Sequence, residues 1–314
     1  MQLFFALQEG LRRAIRTSLT SSSLSFDHRP MNLPTVFVLA IVQGIAELLP
    51  VSSSAHVILV ERLLGLDPSA PEMTFLLVML HSGTMLAVLV FFWSRWKRRL
   101  SKSNARRRVF AWMLAIATAA TGAVGLGLQW VIEKLVMGGG TRAAVENLFG
   151  DTTLIGTALA AVGVLIVVSG LLEHKIEKRT GDSSLVASSL WVGVVQGLCL
   201  PFRGFSRSGA TISTALLRGM PRDLAEEFSF FLAVILTVPV VGREALRLRS
   251  SAPAGGAIPW LMGGCGLLLS FAAGLIAIRW LSSWLERGRW GWFGAYCLAL
   301  AALVLALKFT GILA

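Results

Sequence analysis

The sequence predicts an all-α integral membrane protein: about six spanning helices plus two re-entrant helix–loop–helix pairs, arranged as two inverted repeats. Three observations predict it. Of 314 residues, 55% are hydrophobic and only 15% charged, whereas soluble domains carry about a quarter charged residues. Six apolar runs approach the ~20 residues that a spanning helix needs. Two further apolar segments are interrupted by polar loops and resemble each other.

The composition leaves lipid as the solvent, because so much apolar surface has no water-soluble core to hide in. The net charge is +12, which in a soluble chain would suggest nucleic acid. Here the charge sits in short segments between apolar runs. Arg95, Lys97, Arg98, Arg99, Lys102, Arg106, Arg107 and Arg108 crowd one stretch without an acid. Beside an apolar helix this reads as a cytoplasmic loop, and the bilayer with its anionic headgroups, not nucleic acid, is the expected partner. Cys199, Cys265 and Cys297 all lie in apolar segments, so they read as small buried residues and not as a disulfide framework.

The six expected spans are Met73–Trp93, Val109–Val131, Leu154–Leu172, Phe228–Leu246, Ile258–Leu281 and Trp292–Leu313. Trp93, Trp130, Trp260, Trp280, Trp290 and Trp292 fall near their ends, as interfacial anchors do. Residues 1–30 are set apart as an N-terminal extension, disordered or interfacial. The weakly amphipathic Leu3–Leu19 carries Arg12, Arg13 and Arg16, and Met31 is an alternative start. Residues 31–314 read as one polytopic membrane domain.

The interrupted segments are Pro34–Leu66, broken at Pro50–Ser54, and Leu185–Gly219, broken at Pro201–Arg207. The second arm of each has about 12 residues, or ~18 Å of helix, too short to cross. A pair that enters the membrane and returns is expected, with its irregular backbone held inside protein or a watery cavity. Val42-Gln43-Gly44-Ile45 recurs as Val195-Gln196-Gly197-Leu198. Glu72-Met73-Thr74-Phe75-Leu76-Leu77 recurs as Glu227-Phe228-Ser229-Phe230-Phe231-Leu232 at nearly the same offset. An internal duplication follows, with repeats at about 34–172 and 185–313. If Arg95–Arg108 is cytoplasmic, the first broken pair enters from outside and the second from inside. Their tips then meet near the midplane, an arrangement that builds sites for polar ligands.

The chemistry-bearing residues lie in those two breaks. Gln43 and Glu47 share one helix face, and a carboxylate at membrane depth is costly unless it is paired, metal-bound or hydrated. Ser52, Ser53, Ser54 and His56 follow within a few residues. Each serine could simply cap the next helix, but beside Glu47 they and His56 suit proton transfer or nucleophile activation. The second break supplies cations and donors: Arg203, Ser206, Arg207, Ser208 and Thr211, with a helix beginning at Gly209. A guanidinium fork, hydroxyls and free N–H groups at a helix start suit a phosphate. Glu47 could also hold Mg²⁺ or Ca²⁺ bridging diphosphate oxygens. The implied substrate is a phosphate or diphosphate on a lipid-soluble group.

Other phosphate chemistries are excluded. A cysteine-dependent phosphatase would need an arginine where Phe205 follows Cys199. A phosphatidic-acid-type lipid phosphatase would need a histidine where Ser213 follows Arg207. No glycine-rich nucleotide loop with its lysine is present. A transporter or flippase for a phosphorylated polyprenyl lipid remains the alternative, since inverted repeats with broken helices serve transport equally well.

The run Gln43–His56 (QGIAELLPVSSSAH) resembles the first motif of the undecaprenyl pyrophosphate phosphatases of the bacitracin-resistance type, and Gly204–Thr211 (GFSRSGAT) resembles their second. The resemblance extends from about Met31 to the C-terminus. It implies hydrolysis of undecaprenyl diphosphate to undecaprenyl phosphate and inorganic phosphate, recycling the lipid carrier for peptidoglycan. It further implies divalent-metal dependence, a bacterial inner-membrane location with a site open to the periplasm, and commonly a homodimer. By position it makes Glu47 the essential acid, Ser53 and His56 catalytic, and Arg207 the phosphate-binding arginine. The chain departs from the pattern twice: Gln43 stands where many members carry glutamate, and Arg203 where proline is usual.

Overall fold

The computed structural model describes residues 32–66, 71–101, 103–132, 134, 151–176, 181–251 and 260–310. The predicted extension at 1–30 lies outside them. Among the described residues there are ten α-helices and no strand: α1 (Leu33–Leu48), α2 (Ser53–Leu64), α3 (Pro71–Leu100), α4 (Asn104–Val131), α5 (Thr152–Leu172), α6 (Asp182–Cys199), α7 (Arg207–Leu217), α8 (Arg222–Ser251), α9 (Trp260–Glu286) and α10 (Trp290–Phe309). Six of them, α3, α4, α5, α8, α9 and α10, are long and apolar enough to cross a membrane. They overlap the six expected runs, of which residues 258–259 and 311–313 lie outside the described residues.

Local chemistry sets the short helices. Asn32 caps α1 by accepting a hydrogen bond from Thr35 N at 3.0 Å, and α1 stops two residues before Pro50, whose ring blocks continuation. Gly65, at φ 65°, terminates α2 in the left-handed conformation. Ser206 caps α7 through Gly209 N at 3.3 Å.

The helix ends differ from the sequence expectation. The basic stretch Arg95–Arg108 is not mainly loop: α3 runs on to Leu100 and α4 begins at Asn104. Lys97, Arg98 and Arg99 occupy the last turn of α3, where the helix dipole favours cations. Hydropathy truncates these helices because it cannot see the partners of their charged ends. Arg95 donates to Glu226 at 3.4 Å, Arg99 to Glu227 at 2.7 Å, and Ser282 hydroxyl also bonds Glu226. Arg222 binds both oxygens of Glu173 and donates to Glu286 O. One end of the bundle, formed by α3, α5, α8 and α9, is thus laced by ion pairs. At the other end Lys308 of α10 pairs with Asp151 at 2.8 Å, just before α5.

A second correction concerns Trp290. Trp93, Trp130, Trp260, Trp280 and Trp292 are exposed, as anchors should be, but Trp290 is fully buried. Its indole N–H reaches both Ser169 and Ser213 hydroxyls at 3.0 Å, so it ties α10 to α5 and α7. The core gathers Phe92, Trp96, Phe110, Phe228, Phe230 and Phe231 in mutual ring contact between α3, α4 and α8. The three cysteines are free, and two are buried.

The broken segments pack by close backbone approach. A Cβ on Gly44 of α1 would strike Ser270 and Ala273 of α9, and one on Gly193 or Gly197 of α6 would strike Ala117, Thr121 or Val124 of α4. Thr121 also donates to Gly193 O at 3.0 Å. Gly193→Ala is therefore expected to lower stability by about 1–3 kcal/mol through overpacking, while Gly127→Ala, which meets open space, should leave it unchanged or slightly raised. Thermal unfolding of both variants in detergent checks this.

Asp151 gives a pH signature. Burial raises its carboxyl pKa, but hydrogen bonds from Lys308, Thr153 and Leu154 and the Lys308 charge outweigh that and hold it below the usual value. A depressed folded pKa adds stability above the unfolded pKa, and that stability is lost as pH falls through the folded one. Below about pH 4 the unfolding midpoints of wild type and Asp151→Asn should converge, after a gap in favour of wild type at neutral pH.

Candidate active site

The turn joining α1 to α2 meets the turn joining α6 to α7 inside the bundle. Ser208 hydroxyl donates to Leu49 O at 3.3 Å, and Gly204 N donates to Ser54 hydroxyl at 3.2 Å. Gly204 has φ 96°, and a side chain there would collide with the Ile155 backbone of α5. Only glycine fits. From α10, Cys297 Sγ donates to Pro50 O at 3.3 Å.

Ser52 carries the strain in this junction. It is the one non-glycine residue with positive φ, 68°, among the described residues, a conformation that costs about 1–3 kcal/mol and gathers at functional sites. Its hydroxyl caps α2 at Ala55 N, 3.4 Å away. Its carbonyl accepts from His56 twice, from the backbone N–H at 3.3 Å and from ring Nδ1 at 2.8 Å.

Glu47 lies at the centre, at the end of α1. Its Oε2 accepts from Ser53 hydroxyl at 2.5 Å and from Gln43 Nε2 at 3.2 Å, while its Oε1 faces Arg207 Nη2 at 3.4 Å. The structure brings Gln43, Glu47, Ser53 and Arg207 into one cluster. Arg207 Nη1 is buried and has no hydrogen-bond partner. An unpartnered guanidinium donor costs about 1–3 kcal/mol or more, and an anionic oxygen is the kind of acceptor that would satisfy it. It stands in the first turn of α7, whose opening N–H groups have no intrahelical acceptors. Dipole, guanidinium and N–H groups all favour an anion there.

The other predicted residues take different places. Ser206 and Ser208 are buried, 3.4 Å apart, between the two turns. Thr211 is fully buried and bonds Arg207 O at 2.8 Å and Ser229 hydroxyl at 2.6 Å, which turns it into the wall behind Arg207. Ser54 holds Gly204. Arg203 is exposed. His56 does not point at Glu47: its Nε2 meets Tyr296 hydroxyl of α10 at 2.8 Å.

Two residues of this neighbourhood escaped the sequence reading. His81 of α3 brings Nε2 to 3.8 Å from Glu47 Oε2, with Nδ1 2.8 Å from Leu77 O. A histidine within an expected span was the available signal. Tyr296 had none beyond being the single tyrosine of the chain.

Among the described residues no group of three or more His, Cys, Asp and Glu could hold a metal. Glu47, the side-chain oxygen of Gln43 and Ser53 are nevertheless hard oxygen donors, of the kind Mg²⁺ and Ca²⁺ accept. Mg²⁺ in particular commonly uses one or two carboxylates together with substrate phosphates.

Residues 36–303 match the family model for the bacitracin resistance protein BacA. The chain is 51% identical over 284 residues to undecaprenyl-diphosphatase 2 of Acinetobacter baylyi, a match that covers 88% of this chain and 98% of that protein. It is 31% identical over 268 residues to the undecaprenyl-diphosphatase of Thermus thermophilus, covering 85% and 94% of the two. With that of Rhodopirellula baltica it is 32% identical over 275 residues, covering 87% and 97%. A match over nearly all of the six-span bundle, including both broken segments, places this chain in the BacA bacitracin-resistance family.

Proposed function

We propose that the chain hydrolyses undecaprenyl diphosphate to undecaprenyl phosphate and inorganic phosphate, recycling the lipid carrier for cell-wall synthesis and supporting bacitracin resistance. One observation carries this most: Glu47, with Ser53 hydrogen-bonded to it, faces an Arg207 whose second donor is buried without a partner. An acid–nucleophile pair opposite an open cation site inside a membrane bundle suits attack on a lipid phosphoanhydride. The names of the relatives agree with it.

In this reading Arg207 and the first turn of α7 bind the terminal phosphoryl group, replacing with phosphate oxygens the partner that Nη1 lacks. They also stabilise the charge that builds on it during transfer. Glu47 takes the proton of the attacking oxygen, which is either Ser53 Oγ or a water on the same carboxylate. Glu47, Gln43 and Ser53 would hold a Mg²⁺ or Ca²⁺ ion, whose chemistry is to polarise the phosphoryl oxygens. The lipid phosphate departs and its polyprenyl chain stays in the bilayer. Glutamine at position 43 is no base, so Glu47 alone carries the site's carboxylate charge near Ser53.

The same reading places the site on the periplasmic face of a bacterial inner membrane. The ion-paired end at Arg95–Arg99 is then cytoplasmic, and two repeats of opposite topology meet at the Glu47–Arg207 contact. The matched glycines support the duplication, since Gly44 and Gly197 each let a broken segment touch the other half of the chain, at α9 and α4 respectively. A homodimer is part of the proposal.

Phosphate release from undecaprenyl diphosphate by purified protein in detergent with Mg²⁺ tests this. Glu47→Ala and Arg207→Ala are each expected to lower kcat/KM by about 10²–10³-fold. EDTA should abolish release and added Mg²⁺ restore it. No release by a folded wild type across metals and prenyl lengths would overturn the assignment in favour of lipid transport. Rapid quench with substrate labelled in its terminal phosphate distinguishes the nucleophiles: protein-bound label that Ser53→Ala removes identifies serine, and its absence in a single turnover identifies water.

A further inference from the structure

We propose that Tyr296 is a positioning residue of the hydrolytic site, holding the imidazole of His56 through its hydroxyl and its ring. The proposal rests on the diphosphatase reading and extends it to a residue on α10, outside both broken segments.

The geometry assigns the tautomer. His56 Nδ1 lies 2.8 Å from Ser52 O, and a carbonyl oxygen only accepts, so Nδ1 carries a hydrogen. In the neutral ring Nε2 is then bare, and it lies 2.8 Å from Tyr296 hydroxyl, which donates to it. The two rings are nearly parallel, at 7°, with centroids 5.8 Å apart. Two bonds at opposite ring nitrogens and a ring partner leave the imidazole no freedom to spin or tilt.

The anchor on each side is itself fixed. Ser52 is locked in its positive-φ conformation with its carbonyl committed to His56. Tyr296 is followed by Cys297, which bonds Pro50 O. Successive residues of α10 therefore grip the same turn, one through His56 and one through Pro50. Tyr296 is also half exposed, unlike buried Cys297.

A phenol suits this position because it both donates and accepts. Toward neutral His56 it donates to Nε2. Were Nε2 to take up a proton, the same hydroxyl would rotate and accept from the imidazolium. Both protonation states keep a partner without movement of either ring. Phenylalanine would preserve the ring contact and lose this.

The test uses the full-length protein in detergent. Tyr296→Phe is expected to lower kcat about tenfold, a part of the 10²–10⁴-fold that acid–base groups contribute, with KM within about twofold and the unfolding midpoint unchanged. If Tyr296 acts through His56, the Tyr296→Phe/His56→Gln double variant should be no slower than His56→Gln alone. With one tyrosine in the chain, biosynthetic 3-fluorotyrosine labels this site alone. Its fluorine resonance should shift in His56→Gln and stay in place in the remote variant Trp130→Phe. Wild-type kcat in Tyr296→Phe, or a resonance that ignores His56→Gln, overturns the proposal even if one of the variants fails to fold. A folded wild type without phosphate release overturns it together with the diphosphatase reading, whereas release with an unaffected Tyr296→Phe overturns this proposal alone.

Discussion

A carboxylate and a guanidinium face each other inside a bundle of membrane length, and much of the structure follows from holding them there. Neither charge is tolerated at depth without partners. Glu47 has Gln43, Ser53 and Arg207, and His81 stands close by. These partners come from α1, α2, α3 and α7, so no single helix could supply the site. The chain has to break two apolar segments and bring the breaks together. Pro50, Gly204 and the strained Ser52 are the local devices that do so.

The charge pair also leaves a donor over. Arg207 spends one nitrogen on Glu47 and leaves the other buried without an acceptor. A purely structural salt bridge in a low-dielectric setting would be expected to satisfy both. The bundle around the pair is held by packing: the aromatic cluster of α3, α4 and α8, the glycine-mediated approach of α1 to α9 and α6 to α4, and Trp290 holding two serines.

The spans could be read from the chain because lipid imposes length and apolarity on every crossing helix. The cluster of Gln43, Glu47, Ser53 and Arg207 could be read because polar residues are so few in apolar arms that each stands out. Helix ends could not, since Arg95 and Arg99 look like loop until Glu226 and Glu227, far along the chain, are seen beside them. Trp290 was misread for the related reason that its partners, Ser169 and Ser213, are unremarkable serines in other helices. His81 and Tyr296 reach Glu47 and His56 only through tertiary contact. The orientation of His56 toward Tyr296 instead of Glu47 depends on a backbone carbonyl that no motif records.

The ion pairs at the end of α3 bear on how the protein is made. Insertion machinery sorts a nascent chain by the lysines and arginines flanking its apolar segments, before distant helices exist. At that moment Arg95 and Arg99 are unpaired and contribute fully to the orienting charge. Once α8 arrives, Glu226 and Glu227 engage them, and the signal is consumed. Arg95 and Arg99, which count as orienting charge beside the nascent α3, thus end as the joint between α3 and α8. A substitution at either would be felt twice, once as a topological error during biogenesis and once as a weakened joint in the finished bundle.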